Sequence, residues 1–200
     1  GGQGNDTTHL CIPVGMPRQH SSGFPIEIFI TAKATIFLFE SSFASPRKIH
    51  TDGRDWPKEP DPTFAGYSIG KWLDTDGDGR FDTLEVETRH MKGPRQMDNS
   101  GLPLHEDNKT VVKERMFLNK SNPNILNNEV TTIDNAFTRP WTVTKNYRRM
   151  NGEIAEDNCS ENNNHVEIGK QVYYLSADGY LMPAKKGQRP PDLKYFTQTQ

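Results

Sequence analysis

The densest chemistry in the chain is the segment Asp74-Thr75-Asp76-Gly77-Asp78-Gly79-Arg80-Phe81-Asp82-Thr83-Leu84-Glu85. It fits the pattern D-x-[DN]-x-[DN]-G-x5-E of a calcium loop. Calcium takes six to eight hard oxygen ligands at about 2.3–2.6 Å, so carboxylates must converge on one point. Asp74, Asp76 and Asp78 supply positions 1, 3 and 5, and Gly79 permits the sharp turn at position 6. Arg80 offers its backbone carbonyl, Asp82 a direct or water-mediated contact, and Glu85 both carboxylate oxygens. Phe81 is placed to pack the loop onto the core. Without a cation, five acids in twelve residues repel one another. The competing reading is an Asp-Gly-rich hairpin turn that holds no metal. The flanks have strand character, so no EF-hand helix pair accompanies the loop, and any calcium here is structural, with no bistable element to switch.

Charged residues inside apolar segments are the next candidates. Glu40 closes an apolar run, and Arg47 and Arg54 are placed to pair with Glu40 or Asp52. Glu87, Glu114, Arg115 and Asp134 lie in or beside strand patterns. A buried charge must be paired and hydrogen-bonded, so such a lining is either a structural ion-pair network or a ligand site. For each acid taken alone, the surface or structural role is the commoner one. His105, beside Glu106, is the candidate general acid or base, because histidine titrates near neutrality. Glu87 and Glu114 are its candidate catalytic partners. Glu40, Arg47, Arg54, Trp72, Arg115 and Trp141 are candidate ligand contacts. There is no G-x-S-x-G, H-E-x-x-H, Gly-rich phosphate loop or metal-ligand histidine pair, which disfavours nucleophilic hydrolysis and zinc catalysis.

These residues must be positioned by strands. Ile26–Ile30 alternates, and Thr35–Glu40 is β-branched and aromatic, which predicts a hairpin of mostly buried strands. Arg47–His50 is a short third strand. Residues 51–62 form a loop in which Pro57, Pro60 and Pro62 forbid regular pairing. Tyr67–Leu73 and Thr83–Arg89 flank the acidic loop. Val111–Leu118, Ile125–Ile133 and Trp141–Tyr147 follow as a meander, with Asn122-Pro123-Asn124 as a turn. Val172–Leu175 is a late strand before the turn Ala177-Asp178-Gly179. No helix-period segment or repeat is present. The expected fold is all-β: an antiparallel up-and-down barrel or strongly coiled sheet, lipocalin-like in style. A single β domain over residues 24–183 is expected between an extended N-terminal arm, residues 1–23, and an extended Pro-rich tail, residues 184–200.

Two hundred residues make one domain able to bury its own core. The apolar fraction is 32% and net charge is −2. No Lys/Arg run reaches the length of an interaction tail, so nucleic acid is not an expected partner. No 18-residue apolar stretch exists, so no membrane span is expected. The two cysteines, Cys11 and Cys159, are read either as free thiols or as one bridge closing a very long loop. Compartment decides between them.

Several segments together resemble a family of uncharacterised exported bacterial proteins common in Proteobacteria and Acidobacteria. They are Cys11-Ile12-Pro13, Gly15-Met16-Pro17-Arg18, Arg47 through Arg54, Gly66 through Trp72, Asp82 through Thr88, His105-Glu106, Glu114-Arg115, Thr138 through Thr142, and Cys159 through Asn162. No activity is established for that family. The resemblance covers roughly Cys11 to Phe196. It implies a removed signal peptide, a periplasmic or extracellular home, and a Cys11–Cys159 disulfide. Two departures stand out. The acidic loop is an expansion of a short Gly-Asp turn, and Tyr67 stands where many members carry His.

Three functions remain. The first is a calcium-stabilised exported barrel binding a small organic ligand in a polar-lined, aromatic-walled pocket. The second is a cofactor-free acid/base enzyme, a lyase, isomerase or hydrolase. The third is a structural subunit whose partner is another protein of a periplasmic or cell-surface assembly.

Overall fold

The computed structural model describes residue 8, residues 11–93 and 95–159, the runs 165–168, 171–175 and 180–182, and residue 187. Eight strands form one sheet in sequence order. They are β1 (Ile26–Ile30), β2 (Ala34–Phe39), β3 (Arg47–His50), β4 (Tyr67–Leu73), β5 (Thr83–Arg89), β6 (Val111–Asn119), β7 (Asn122–Ile133) and β8 (Trp141–Arg148). The sheet curls into a half-barrel. A smaller sheet joins β9 (His165–Ile168), β10 (Gln171–Leu175) and β11 (Leu181–Met182), with β10 in the middle. The late strand at Val172 is therefore present. The turn at 177–179 lies outside the described residues, as do the N-terminal residues 1–7 and nearly all of the tail.

All pairings in the large sheet are antiparallel except β3–β4, where Ile49 and His50 run parallel to Ser68 and Ile69. A parallel step needs a long crossover, and residues 51–66 supply it. Their three prolines keep the segment out of the ladder. Trp56 pins it to the strand ends: its ring lies 6.0 Å from Tyr67 and 6.3 Å from His90, with the Arg89 guanidinium 4.5 Å from it.

Period two divides the sheet cleanly. Leu84, Val86 and Thr88 of β5 and Val112, Glu114 and Met116 of β6 point into the packed face, while Glu85, Glu87, Lys113 and Arg115 point to the open face. Two apolar clusters fill the packed face. Phe37, Phe39, Ile49, Leu84, Val86 and Met116 make one, and Met16, Met91, Val112 and Val130 the other.

Three features depart from the expectations above. Residues 14–20 are not a free arm. Val14 N–H donates to the Phe43 carbonyl at 2.8 Å and Met16 N–H to that of Phe64 at 3.1 Å. A short 3-10 turn, Arg18–Ser21, then lays Gln19 and His20 into the core. Gly15 makes the approach possible: its φ is +62°, and a Cβ there would lie 2.3 Å from the Phe64 carbonyl oxygen. Second, only β2 of the first hairpin is mostly buried, because β1 is the sheet's edge and Ile28, Phe29 and Ile30 are exposed. Third, the β6–β7 turn is made by Lys120 and Ser121. The Asn119 carboxamide oxygen accepts from Ser121 and Asn122 N–H, both at 3.0 Å. Pro123 then falls in the register shift beside Asn119, where no ladder donor is needed.

Candidate functional site

The Asp74–Glu85 segment is the tip of the β4–β5 hairpin, closed by Asp82 N–H donating to the Leu73 carbonyl at 2.9 Å. Oxygens of Asp74, Asp76 and Asp78 gather within 4.8 Å of one another on the surface. Gly77 and Gly79 take φ of +75° and +86°, and their N–H groups donate to the Asp74 carboxylate at 2.7 and 2.9 Å. Asp82 reaches back to the Thr75 hydroxyl at 2.7 Å, a bond that holds its carboxyl below the usual carboxylate range. Glu85 is not drawn into the cluster. It sits in β5 opposite Lys71, two positions beyond the pair Leu73–Thr83. Phe81 does not pack onto the core and is 72% exposed. The carboxylates brought together here are those of Asp74, Asp76 and Asp78, whereas Asp82 is engaged by Thr75 and Glu85 stands apart.

Inside the packed face lies a polar network centred on a buried ion pair. Glu114 forms an ion pair with Arg47, both side chains about 1% exposed or less. The Arg47 guanidinium also donates to Ser68 Oγ at 3.2 Å and Thr88 Oγ1 at 2.8 Å, and Asn128 Nδ2 donates to Glu114 at 3.0 Å. His20 from the N-terminal turn completes it. Its Nε2 lies 3.0 Å from Glu114 Oε1 and 2.9 Å from an Arg47 nitrogen, and its Nδ1 lies 3.0 Å from the Tyr147 hydroxyl. With its hydrogen on Nε2, His20 donates to Glu114 and accepts from Tyr147. With the hydrogen on Nδ1, it donates to Tyr147 and accepts from Arg47. Burial on its own would raise the Glu114 carboxyl, but the Arg47 charge and the contacts from His20 and Arg47 outweigh it and hold the group far below its ordinary value. Burial, and then the Glu114 charge, push the Tyr147 hydroxyl up.

The open face carries a ladder of alternating charge. Lys71, Glu85, Arg115 and Glu129 stand opposite one another across four strands. Arg115 lies 3.7 Å from Glu129, and Lys113 lies 3.6 Å from Glu87. A broad, open groove of about 1120 Å³ runs here, lined among others by Glu87, Lys113, Arg115, Trp72 and Phe81.

The candidate acid/base trio does not converge. Glu87 faces the groove and Glu114 the core, since adjacent register places them on opposite faces. His105 sits in the 90–110 connection, its ring 3.3 Å from Asp107 and its N–H donating to Asp134 at 2.8 Å. The candidate ligand set also divides. Arg54 and Arg115 line the groove; Trp72 borders it, but packs against the core and donates to Thr35 Oγ1 at 3.3 Å, and Arg47 is buried in the network. Glu40 instead accepts from Ala155 N–H at 2.9 Å, strapping the later chain to β2. Trp141 is half exposed beside Phe137. His20 and Tyr147 are not legible as site residues in the sequence. Tyr147 stands at the end of a strand, and His20 in a segment with no periodic pattern at all.

Cys11 and Cys159 form a disulfide, with Cα atoms 5.7 Å apart, and Asp157 accepts from Ser42 N–H and Oγ at 2.8 Å beside it. Such a bridge points to an oxidising, exported compartment. No helix among the described residues is long and apolar enough to cross a membrane. Compared with known proteins, the chain matches no family model, no curated protein and no solved structure.

Proposed function

We propose that this chain is a periplasmic or extracellular binding module whose open sheet face takes a small organic ligand, with calcium ordering one wall of the site. The observation that carries the reading is the shared boundary of groove and acidic loop. Phe81 belongs to the loop and lines the groove, while Glu87, Lys113 and Arg115 supply charges of both signs. An exposed phenylalanine on a free hairpin tip samples many positions. A cation gathering Asp74, Asp76 and Asp78 would restrict that tip and fix the aromatic wall, which lowers the ordering cost of binding. A ligand bearing both an anionic and a cationic or hydroxyl group matches the lining. The resemblance to exported bacterial proteins supports the same location. The dispersed positions of His105, Glu87 and Glu114 weigh against an acid/base enzyme built on them.

The test begins with calcium chloride titrated into chelator-treated protein by calorimetry, up to the millimolar range in which extracellular modules bind. One site is expected, lost in Asp76→Asn and Asp78→Asn and kept in Glu85→Gln. A panel of amino acids, dicarboxylates and monosaccharides is then screened by ligand-observed NMR with and without calcium. Hits that need calcium and vanish in Glu87→Ala and Arg115→Ala support the proposal. A flat calcium titration, or hits indifferent to both substitutions, would overturn it.

A further inference from the structure

The edge strand β1 is the feature with the clearest unfilled requirement. Among the described residues it pairs only with β2. Its outer backbone groups are set by the ladder phase. Glu40 N–H donates to the Pro25 carbonyl and Thr31 N–H to that of Ala34, so residues 25, 27, 29 and 31 turn their backbone groups toward β2. Ile26, Ile28 and Ile30 therefore turn theirs to the free edge. The side chains there are apolar and open: Ile28 is 40%, Phe29 48% and Ile30 64% exposed, and Phe24 just before the strand is 46% exposed. A long apolar edge with open donors and acceptors is a template for another strand. The opposite edge, β8, differs, because it carries Lys145 and Arg148, the kind of charge that blunts pairing.

We propose that β1 pairs with β1 of a second copy, antiparallel about a two-fold axis through Ile28. The self-complementary run Ile26-Glu27-Ile28-Phe29-Ile30 points to this occupant, and charge selects the register. With Ile28 opposite Ile28, the outward groups of residues 26, 28 and 30 meet those of 30, 28 and 26, so each edge satisfies the other's groups in full. Glu27 then faces the apolar Phe29 of the other copy. Shifting the register one step to bring Glu27 opposite Glu27 sets like charges in direct contact and leaves one isoleucine of each edge unmatched. Ile26, Ile28 and Ile30 share one face, and the two copies align them into a continuous stripe beside both cores. The same surface patch serves both copies, so the assembly closes as a dimer and does not extend into a fibre.

The chain has two cysteines, joined to each other, so an introduced cysteine is a single reactive thiol. Sedimentation equilibrium of the wild-type chain should show a dimer, and Ile28→Lys should weaken self-association at least tenfold while the β-sheet circular dichroism is unchanged. Ile28→Cys should be joined by a short bismaleimide into a covalent dimer, and Asn146→Cys on the β8 edge should not. A wild-type monomer up to about 1 mM, the weak end of specific association, overturns the proposal. So does a dimer that survives Ile28→Lys, or equal cross-linking at both edges. Should Ile28→Lys fail to fold, the wild-type mass and the cysteine pair decide the matter.

Discussion

Replacing Glu114 by glutamine tests the energetic reading of the core. The substitution keeps the shape and removes the charge. Arg47, whose side chain is about 1% exposed, is then left with neutral partners only: Ser68, Thr88 and His20. Removing one member of a buried ion pair costs about 3–5 kcal/mol, because the other charge remains desolvated. Against a total stability of about 5–15 kcal/mol, that is about a fifth of the margin or more. For a domain of this size each kcal/mol shifts the melting temperature by roughly 2–4 °C, so Glu114→Gln should melt roughly 6–20 °C lower. The loss should be larger than for Glu87→Gln, whose partners Arg89 and Lys113 stand in solvent. That surface change should fall within about 1 kcal/mol.

The assay is urea unfolding followed by tryptophan fluorescence, with the slope compared between variants to confirm that the same surface is exposed. If Glu114→Gln loses less than about 1 kcal/mol at unchanged slope, the guanidinium is not sealed from water. The network would then belong to a hydrated site, and a dry Arg47–Glu114 pair would be refuted.

The paired change Arg47→Met with Glu114→Met should recover part of that loss, since an apolar pair carries no desolvation cost. It should still fall short of wild type, because His20 and Asn128 lose the carboxylate they contact; full recovery in the same urea assay would contradict this. Acid should act through the same carboxylate. The folded value of Glu114 lies below its ordinary 4.5, so its contribution is complete above that pH and is lost as pH falls toward the folded value. Urea midpoints should be level near neutrality and drop below about pH 4.5, with a shallower drop in Glu114→Gln. Reducing the Cys11–Cys159 bridge, which spans 148 residues, should cost about 2–5 kcal/mol, read as a lower melting temperature in dithiothreitol and no change in a Cys11→Ala, Cys159→Ala variant. Gly15→Ala should cost more than Gly53→Ala. Both glycines have positive φ, worth about 1–2 kcal/mol, but only at Gly15 does the new Cβ strike backbone.

The strands are legible because alternation is a local signal. β5 reads Leu84, Val86, Thr88 against Glu85, Glu87, Arg89, and the ladder follows that phase. The same phase already distinguishes the two candidate acids: Glu114 keeps step with Val112 and Met116, whereas Glu87 falls out of step with Val86. What no local pattern carries is the partner brought from far away. Met16 is buried against Met91, Val112 and Val130 and His20 against Phe37, Phe39 and Tyr147, most of them far along the chain, and a Gly- and Pro-punctuated segment looks extended until those surfaces exist. The acidic loop is legible as chemistry, but its twelfth position is not, since strand pairing with Lys71 outcompetes convergence on the loop.

The polar network draws one residue from each of six successive strands: Arg47 from β3, Ser68 from β4, Thr88 from β5, Glu114 from β6, Asn128 from β7 and Tyr147 from β8. His20 adds the N-terminal turn. Sliding any one of these strands by a single residue moves its member to the open face. A slip of two residues keeps the same face, and apolar neighbours tolerate it, because one aliphatic side chain substitutes for another at modest cost. The network does not, because each lost partner leaves a buried charge or donor unsatisfied. The native register is the arrangement in which the Arg47–Glu114 pair meets its partners from the other strands and the turn together. A sheet whose two edge strands have no outer partner among the described residues, and which includes one parallel step, has few other devices to hold that alignment. The ion pair that contributes little net stability over an apolar pair therefore discriminates strongly among the sheets this sequence can form.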